Sequence, residues 1–285
     1  MNIPVWGREY NKHAEEWRQI FDVETSDKNY EEDTEVTGFG LAPVKAEGTA
    51  IQYDSENQGP TTRYTHVVYG LGYIVTQEEL EDNLYEVVSK RRIQALAFSM
   101  QQTKERVHAN IFNRGFNTSY LGGDGSSLFA TDHATLNGTQ SNKLATAADL
   151  SEASLEDLCV QIMNAQNSRG HQIALQPKKL IVEPGNYFDA MRIIKSELSP
   201  DNSNNSANIV KGLFDGVLVS HYISFGSGAW FIKTNAPRGL THFKRREIKF
   251  EQDNDFDSAN AKAKNHERYS VGWTDWRAAY GSPGA

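Results

Sequence analysis

The sequence predicts a mixed α+β protein, and three observations carry that prediction. Glycine-punctuated, β-rich stretches lie near both ends of the chain. Between residues 76 and 114 about 38 residues pass without Gly or Pro, enough for one very long helix. Beyond it, short strand-like and helix-like patterns alternate. The composition suits such a fold: of 285 residues 38% are hydrophobic and 11% aromatic, which allows a real core in one large or two modest domains. With 29 Lys and Arg against 37 Asp and Glu, the net charge is −8. A mean hydropathy of −0.60 without a long apolar run excludes a membrane-spanning helix. Met1–Trp6 lacks a basic region followed by an apolar stretch, so it does not read as a secretory signal. The single cysteine cannot form an internal disulfide, which suits a reducing cytoplasm.

Residues 1–35 combine the acidic stretch Asp27–Glu35 with Trp6, Tyr10, Trp17 and Phe21, a mixture too polar to bury itself, and read as an extended arm. In residues 36–75, Thr49–Tyr53 and Thr61–Tyr69 read as strands of a long β-hairpin joined by the polar tip Asp54–Pro60. Both faces of these strands are mostly polar, as in Thr61, Thr62, Arg63, Tyr64, Thr65 and His66, so the hairpin calls for a partner outside its own core. Thr76–Glu79 has the form of a capping box, and the helix it opens runs to Arg114, roughly 57 Å at 1.5 Å per residue. Gly115 is placed to end it. At 100° per residue Leu80, Leu84, Val87, Val88 and Phe98 fall on one side, and Ile93, Leu96, Met100, Val107 and Ile111 nearly opposite, which predicts a spine covered on two faces.

Turn-rich segments follow at Leu121–Phe129 and Leu136–Asn142. Asp149 or Ser151 can cap a second helix with Leu155, Leu158, Cys159, Ile162 and Met163 on its apolar face. Lys179–Glu183 reads as a buried strand, and Pro184-Gly185 turns into a third helix carrying Tyr187, Phe188, Met191, Ile193 and Ile194. Pro200–Ser206 is the most loop-like passage. Strands are expected at Phe214–His221, Ala229–Thr234, Thr241–Phe250 and Tyr269–Tyr280, the last two flanking an acidic turn at Asp253–Asp257.

None of the chemistry-bearing residues assembles a motif. Cys159 shares an apolar helical face with Leu155 and Ile162, as a buried small hydrophobe does. His266-Glu267 has no second ligand at helical spacing, so it is no zinc site. Asp132-His133 could hold a general base beside a carboxylate, although such a pair more commonly anchors a loop. Asp253–Asp257 alternates oxygens like a calcium loop, but Ser258 and Lys264 stand where the sharp-turn Gly and the bidentate Glu belong. Gly70-Leu-Gly72 and Gly122–Gly125 are turn glycines rather than phosphate loops. The basic cluster Phe243–Lys249 lies on an alternating strand and reads as a solvated or intersubunit face.

The order of parts is more telling: an acidic arm, a protruding hairpin, a long helix, an α/β middle with a polar loop, then a return to long strands. That order resembles the major capsid proteins of tailed bacteriophages, the Hong Kong ninety-seven fold. The local wording is most similar to the Mu-like major head subunit group, at Tyr69–Tyr73, Glu81–Tyr85, Asp124-Gly125 with Leu128–His133, Ala148–Ser151, and Asp275–Arg277 with Tyr280-Gly281. The resemblance implies an N-arm at 1–35, an E-loop at 36–75, a peripheral P-domain at 76–145 and 240–285, and an axial A-domain at 146–239. It implies a structural subunit without catalytic site, cofactor or metal, whose pentamers and hexamers close an icosahedral shell around double-stranded DNA. The expected intersubunit contacts are Asp54, Glu56, Asn57, Arg63 and Tyr64, and the expected axial loop contains Pro200, Asp201, Asn202 and Asn204. Expected partners are the chain itself, non-specifically contacted DNA, and scaffolding, portal or decoration proteins, with no membrane. The expected location is the virion, assembled in the bacterial host cytoplasm.

With about thirty-five residues ahead of the hairpin, removal of a long scaffolding segment is not implied. Lys45 lies near the hairpin base, but no feature selects an asparagine for an isopeptide bond, so the shell is expected to be held without covalent links. Three alternatives have their own discriminators. An encapsulin-like nanocompartment would hold a cargo protein instead of DNA, an enzyme would need a pocket at Asp132-His133, and a calcium-binding adhesion module would bind the ion at Asp253–Asp257.

Overall fold

The computed structural model describes residues 10, 14–82, 85–197, 208–224, 228–255 and 260–285, with the side chains of 80 and 85–90 left aside. Pro200, Asp201, Asn202 and Asn204 lie outside the described residues, as do Leu84 and, in the Asp253–Asp257 turn, Phe256 and Asp257. The chain divides into two compact units, one of residues 1–31, 64–111 and 241–272, the other of 32–63, 112–240 and 273–285.

The first unit is a helix on a four-stranded sheet. Its strands are β1 (Asp22–Thr25), β4 (Val67–Val75), β10 (Leu240–Asn254) and β11 (Ala261–Trp273), in the order β1-β10-β11-β4. β1 runs parallel to β10 from Asp22 opposite Thr241, and β4 runs antiparallel to β11 with Tyr69 opposite Glu267 and Tyr73 opposite Ala263. Ile93, Leu96, Ala97 and Met100 of the helix pack with Tyr10, Phe250 and Ala263, and Tyr69, Tyr73 and Ile248 border that cluster.

The predicted long helix is divided. Thr76 caps α1 (Gln77–Glu81), its Oγ1 accepting the Glu79 N–H, and α2 (Tyr85–Asn113) supplies 29 residues. The Glu79 carboxylate faces the Thr76 N–H and also holds Arg92 in a fork at 2.7 and 2.9 Å. α1 closes on Asp82, whose N–H donates to the Glu78 carbonyl. One predicted stripe is buried at Ile93, Leu96 and Met100; on the other, Phe98 is 41% exposed.

The second unit contains the sheet β12-β9-β7-β8, formed by β7 (Pro177–Val182), β8 (Gly216–Val219), β9 (Trp230–Thr234) and β12 (Ala279–Ser282). β7 pairs parallel with β8 and antiparallel with β9, so its Leu180, Ile181 and Val182 are wholly buried. Helix α3 (Glu152–Met163) opens on Ser151 in a reciprocal capping box with Ser154 and packs on β12; α4 (Tyr187–Lys195) packs on β7 and β8. Phe112, Phe116, Phe129 and Phe231 form a ring cluster with centroids 4.8–6.2 Å apart. Gly115 is required here by that cluster: a Cβ would stand 2.6 Å from the Phe129 ring. A short hairpin, β5 (His133–Thr135) with β6 (Gly138–Gln140), completes the strands of this unit that precede α3.

The hairpin differs from its prediction. Its strands are β2 (Tyr30–Val36) and β3 (Gln58–Thr65), and Thr49–Tyr53 forms no strand. Tyr30, Glu32, Thr34 and Val36 alternate with Glu31, Asp33 and Glu35, a period of two that the acidic composition obscured. Thr34 Oγ1 meets Thr61 Oγ1 across the pair at 2.9 Å. The acidic stretch is thus partly a strand rather than a free arm, and residues 37–57 form the loop of the hairpin.

Candidate assembly surface

Three interactions secure the base of the hairpin within the second unit. Glu35 accepts from Ser168 Oγ at 2.6 Å and from Arg277 Nη1 at 3.0 Å, and Thr274 Oγ1 donates to Asp33 at 2.8 Å. Arg277 is buried, donates also to Asp275 and to the Gln166 carbonyl, and lies over the Trp276 ring at 4.3 Å. Gly123 allows the turn after α2 to press on β3, since a Cβ there would sit 2.7 Å from the Thr61 carbonyl oxygen.

Beyond this base, Thr37 and Asn57 close the loop with backbone and hydroxyl hydrogen bonds of 3.0–3.2 Å. Asp54 gathers the tip: its carboxylate accepts from Gly40 N–H at 2.7 Å, Ser55 N–H at 2.9 Å and Arg169 Nη1 at 2.8 Å. Those two N–H groups and then the guanidinium hold its carboxyl below the usual range. Arg169 donates its second terminal nitrogen to the Ser55 carbonyl. A polar cleft of about 350 Å³ lies here among Asp54, Asn57, Leu136, Asn137 and Arg169.

The loop also presents what a single chain leaves uncovered. Phe39, Leu41, Val44, Ile51 and Tyr53 are all strongly exposed, Val44 at 99% and Tyr53 at 93%. A soluble surface seldom collects so many large apolar side chains on one loop unless another surface covers them. Sequence reasoning placed the contacts on the polar tip and passed over these five, although their spacing through residues 39–53 was visible.

Of the expected contact residues, Glu56 and Asn57 are exposed on the loop, Asp54 is engaged as described, and Arg63 is exposed on β3. Tyr64 is a correction: it is 3% exposed, its ring set edge-on to Phe243 at 4.9 Å and pressed on Gly272. Polar neighbors on either side in sequence hid an inward-facing position of the strand.

The candidates for catalysis resolve as structure. His133 pairs with Asp124 at 2.5 Å, not with the adjacent Asp132, which is exposed. Its Nε2 lies 3.1 Å from Asn142 Oδ1, and its ring stacks on Trp276 at 4.4 Å. With both nitrogens engaged and the side chain wholly buried, it has no access to a substrate. Cys159 is buried, and desolvation pushes its thiol up to about 12, which removes thiolate reactivity. Among the described residues no cluster of His, Cys, Asp or Glu could hold a metal ion, and no helix is long and apolar enough to cross a membrane. In the basic cluster, Lys244 pairs with Glu247, Arg245 with Asp27 and Lys249 with Glu251.

The fold recurs in particle-forming proteins. A virus-like particle from Pyrococcus furiosus is 13% identical with a TM-score of 0.58, over 98% of this chain and 96% of that one. The capsid of cyanophage P-SCSP1u is 11% identical with a TM-score of 0.59, covering 92% and 85%; the capsid of a native GTA particle is 12% identical with a TM-score of 0.56, covering 94% and 89%. No curated protein sequence matches the chain. The family model described as phage capsid protein matches residues 59–282, more than three quarters of the sequence. An apolar loop awaiting cover agrees with that match: the chain belongs to the phage capsid protein family, and it is a major capsid shell protein.

Proposed function

We propose that this shell protein works without catalysis, assembling as pentamers and hexamers into a closed icosahedral lattice around double-stranded DNA. The observation that carries this reading is the loop 37–57, whose Phe39, Leu41, Val44, Ile51 and Tyr53 are left for a neighboring copy to cover. In this reading residues 1–35 act as N-arm, 36–75 as E-loop, 76–145 and 240–285 as P-domain, and 146–239 as A-domain. Asp54, Glu56, Asn57 and Arg63 join the apolar fringe in the contact, and Tyr64 stays in the core. The net charge of −8 lets the shell contain DNA without gripping its phosphates. Scaffolding, portal and decoration proteins complete the partners, assembly takes place in the host cytoplasm, and the product is the virion. Within the family the chain stands with the Mu-like head subunits. The encapsulin-like alternative has less support, because the matching family is that of phage capsids.

The test replaces residues 40–54 by a short turn. The expected protein keeps the circular dichroism and melting of the wild type, because this loop adds little to either core, but gives no closed shells in negative-stain micrographs. Wild-type particles boiled in detergent should run as a single monomer band. Normal shells from the shortened protein would refute the bridging role, and detergent-resistant multimers would refute a shell without covalent links.

A further inference from the structure

Helix α3 ends at Met163, and the turn that soon follows it is tightly braced by Asn167. The Oδ1 of Asn167 accepts from the Arg169 and His171 N–H groups at 3.0 and 2.9 Å, and its own N–H donates to the His171 carbonyl at 2.8 Å. Its carbonyl accepts from Gly170 N–H at 3.0 Å and from Gln140 Nε2 at 3.2 Å. Gly170 has a φ of +86°, and a Cβ there would run into the Asn137 side chain, so the turn needs glycine at this position. Two neighboring side chains of this turn hold the hairpin at two points. Ser168 Oγ donates to Glu35 at the hairpin base at 2.6 Å, and Arg169 reaches Asp54 at 2.8 Å and the Ser55 carbonyl.

Within the loop 37–57 the two arms are joined at successive levels. Thr37 and Asn57 join them at the base, and Gly40 N–H meets the Asp54 carboxylate at 2.7 Å farther out. In the distal turn the Ala46 carbonyl accepts the N–H and Oγ1 of Thr49 at 3.2 and 2.8 Å. Asp54 is where loop and turn meet. The same oxygen, Oδ2, accepts from Gly40 and from Arg169, so the crossing between the arms and the tie to the turn share one atom. Glycine at 40 permits that approach, because a Cβ there would stand 3.2 Å from Oδ2.

The exposure of the loop gives the direction of the effect. A clasp that withheld the loop from partners would cover its apolar side chains. With these ties in place, Phe39 and Leu41 on either side of Gly40, and Tyr53 beside Asp54, all stay exposed, as do Val44 and Ile51 beyond them. The ties use backbone groups, a carboxylate and a guanidinium, which leaves the apolar surface free. A loop fixed before contact gives up less conformational freedom when a partner covers it.

We propose that the turn 167–170 is a two-point clamp that presets the loop 37–57 for a second copy of the chain, Ser168 setting the hairpin base through Glu35 and Arg169 setting the outer crossing through Asp54. The clamp rests on the reading of this loop as the bridge between copies, and it adds Arg169 as a positioning residue.

Arg169→Gln in the full-length chain tests the clamp, with Lys178→Gln as a charge-matched control, since Lys178 forms a solvent-exposed pair with Asp215 at 3.7 Å. Hydrogen exchange on free subunits reads the loop. In Arg169→Gln the amides of Thr37, Gly40 and Thr49 should exchange about five- to tenfold faster than in the wild type, the range for losing a charge-assisted fork on a half-exposed carboxylate. Those of Leu180 and Ile181 in the inner strand β7 should not change. The subunit concentration at which shells first scatter light should rise by a similar factor. Arg169→Lys, which keeps the charge but not the fork, should recover part of both losses, and Lys178→Gln should match the wild type. Faster exchange confined to Gly40 would make Arg169 a local contact and overturn the clamp. Wild-type exchange throughout, a lowered assembly threshold, or the same shift in Lys178→Gln would overturn it equally, and the exchange result decides even where purified subunits do not close shells unaided. If the protein with residues 40–54 replaced still forms shells, the bridging reading falls and the clamp with it. If that protein fails while Arg169→Gln assembles at the wild-type threshold, the clamp alone falls.

Discussion

Arg277 Nη1 donates to Glu35 Oε1 at 3.0 Å, joining residues 242 apart in sequence. The same nitrogen reaches Asp275 at 3.1 Å, and the guanidinium is almost wholly buried. Arg277→Met should therefore leave two carboxylates without their cation and the Gln166 carbonyl without a donor. The expected cost is about 2–3 kcal/mol, near the lower end for a broken buried pair because both acids retain some contact with water. Chemical denaturation measures it. A loss under about 0.5 kcal/mol would show that the hairpin base is held by other contacts.

Met100 is 2% exposed, and Phe98, two residues away on α2, is 41% exposed. Met100→Asp should cost about 3–5 kcal/mol by burying an unpaired carboxylate, while Phe98→Asp should cost less than about 1 kcal/mol in the isolated subunit. If instead Phe98→Asp destabilizes the free subunit as severely as Met100→Asp, the helix is covered on both faces, as its two apolar stripes predict. If Phe98→Asp spares the subunit and blocks shell formation, that face is covered only on assembly.

Asn142 is a polar hub of the second unit. Its Nδ2 reaches the carbonyls of Leu128 at 2.7 Å, Ala279 at 3.0 Å and Trp276 at 3.2 Å, and its Oδ1 accepts from Ala130 N–H at 3.0 Å. His133 completes it. Asn142→Leu keeps much of the volume but strands several buried groups, so a loss of about 3 kcal/mol or more is expected in thermal or urea unfolding. Asn142→Asp, which retains the acceptor and loses the two donors, should also destabilize. An Asn142→Leu protein as stable as the wild type would show that these groups find other partners.

Local rules reached far into this protein. Ser151, one of the two caps the sequence offers, caps α3, Lys179–Glu183 overlaps the strand β7, and Thr76 begins a helix where the hydroxyl and the following Glu residues announce one. In each case the determining contacts lie within a few residues, and the period of the apolar pattern matches the element. The ion pair of Glu79 with Arg92 was not legible, because it joins side chains thirteen residues apart. The hairpin partner of β3 was not legible either. The acidic strand β2 gains its place from Arg277, Thr274 and Ser168, far along the chain, which neutralize or hydrogen-bond charges that in isolation favor an exposed arm. Tyr64 and His133 show the same division. Sequence supplied the residue types and their neighbors, but burial, and with it the difference between a contact residue, a catalyst and a core side chain, is set by which distant surfaces close over them. The order of hairpin, long helix and returning strands was written in the sequence itself; which side chains are covered and which stay exposed is decided only once the chain has folded.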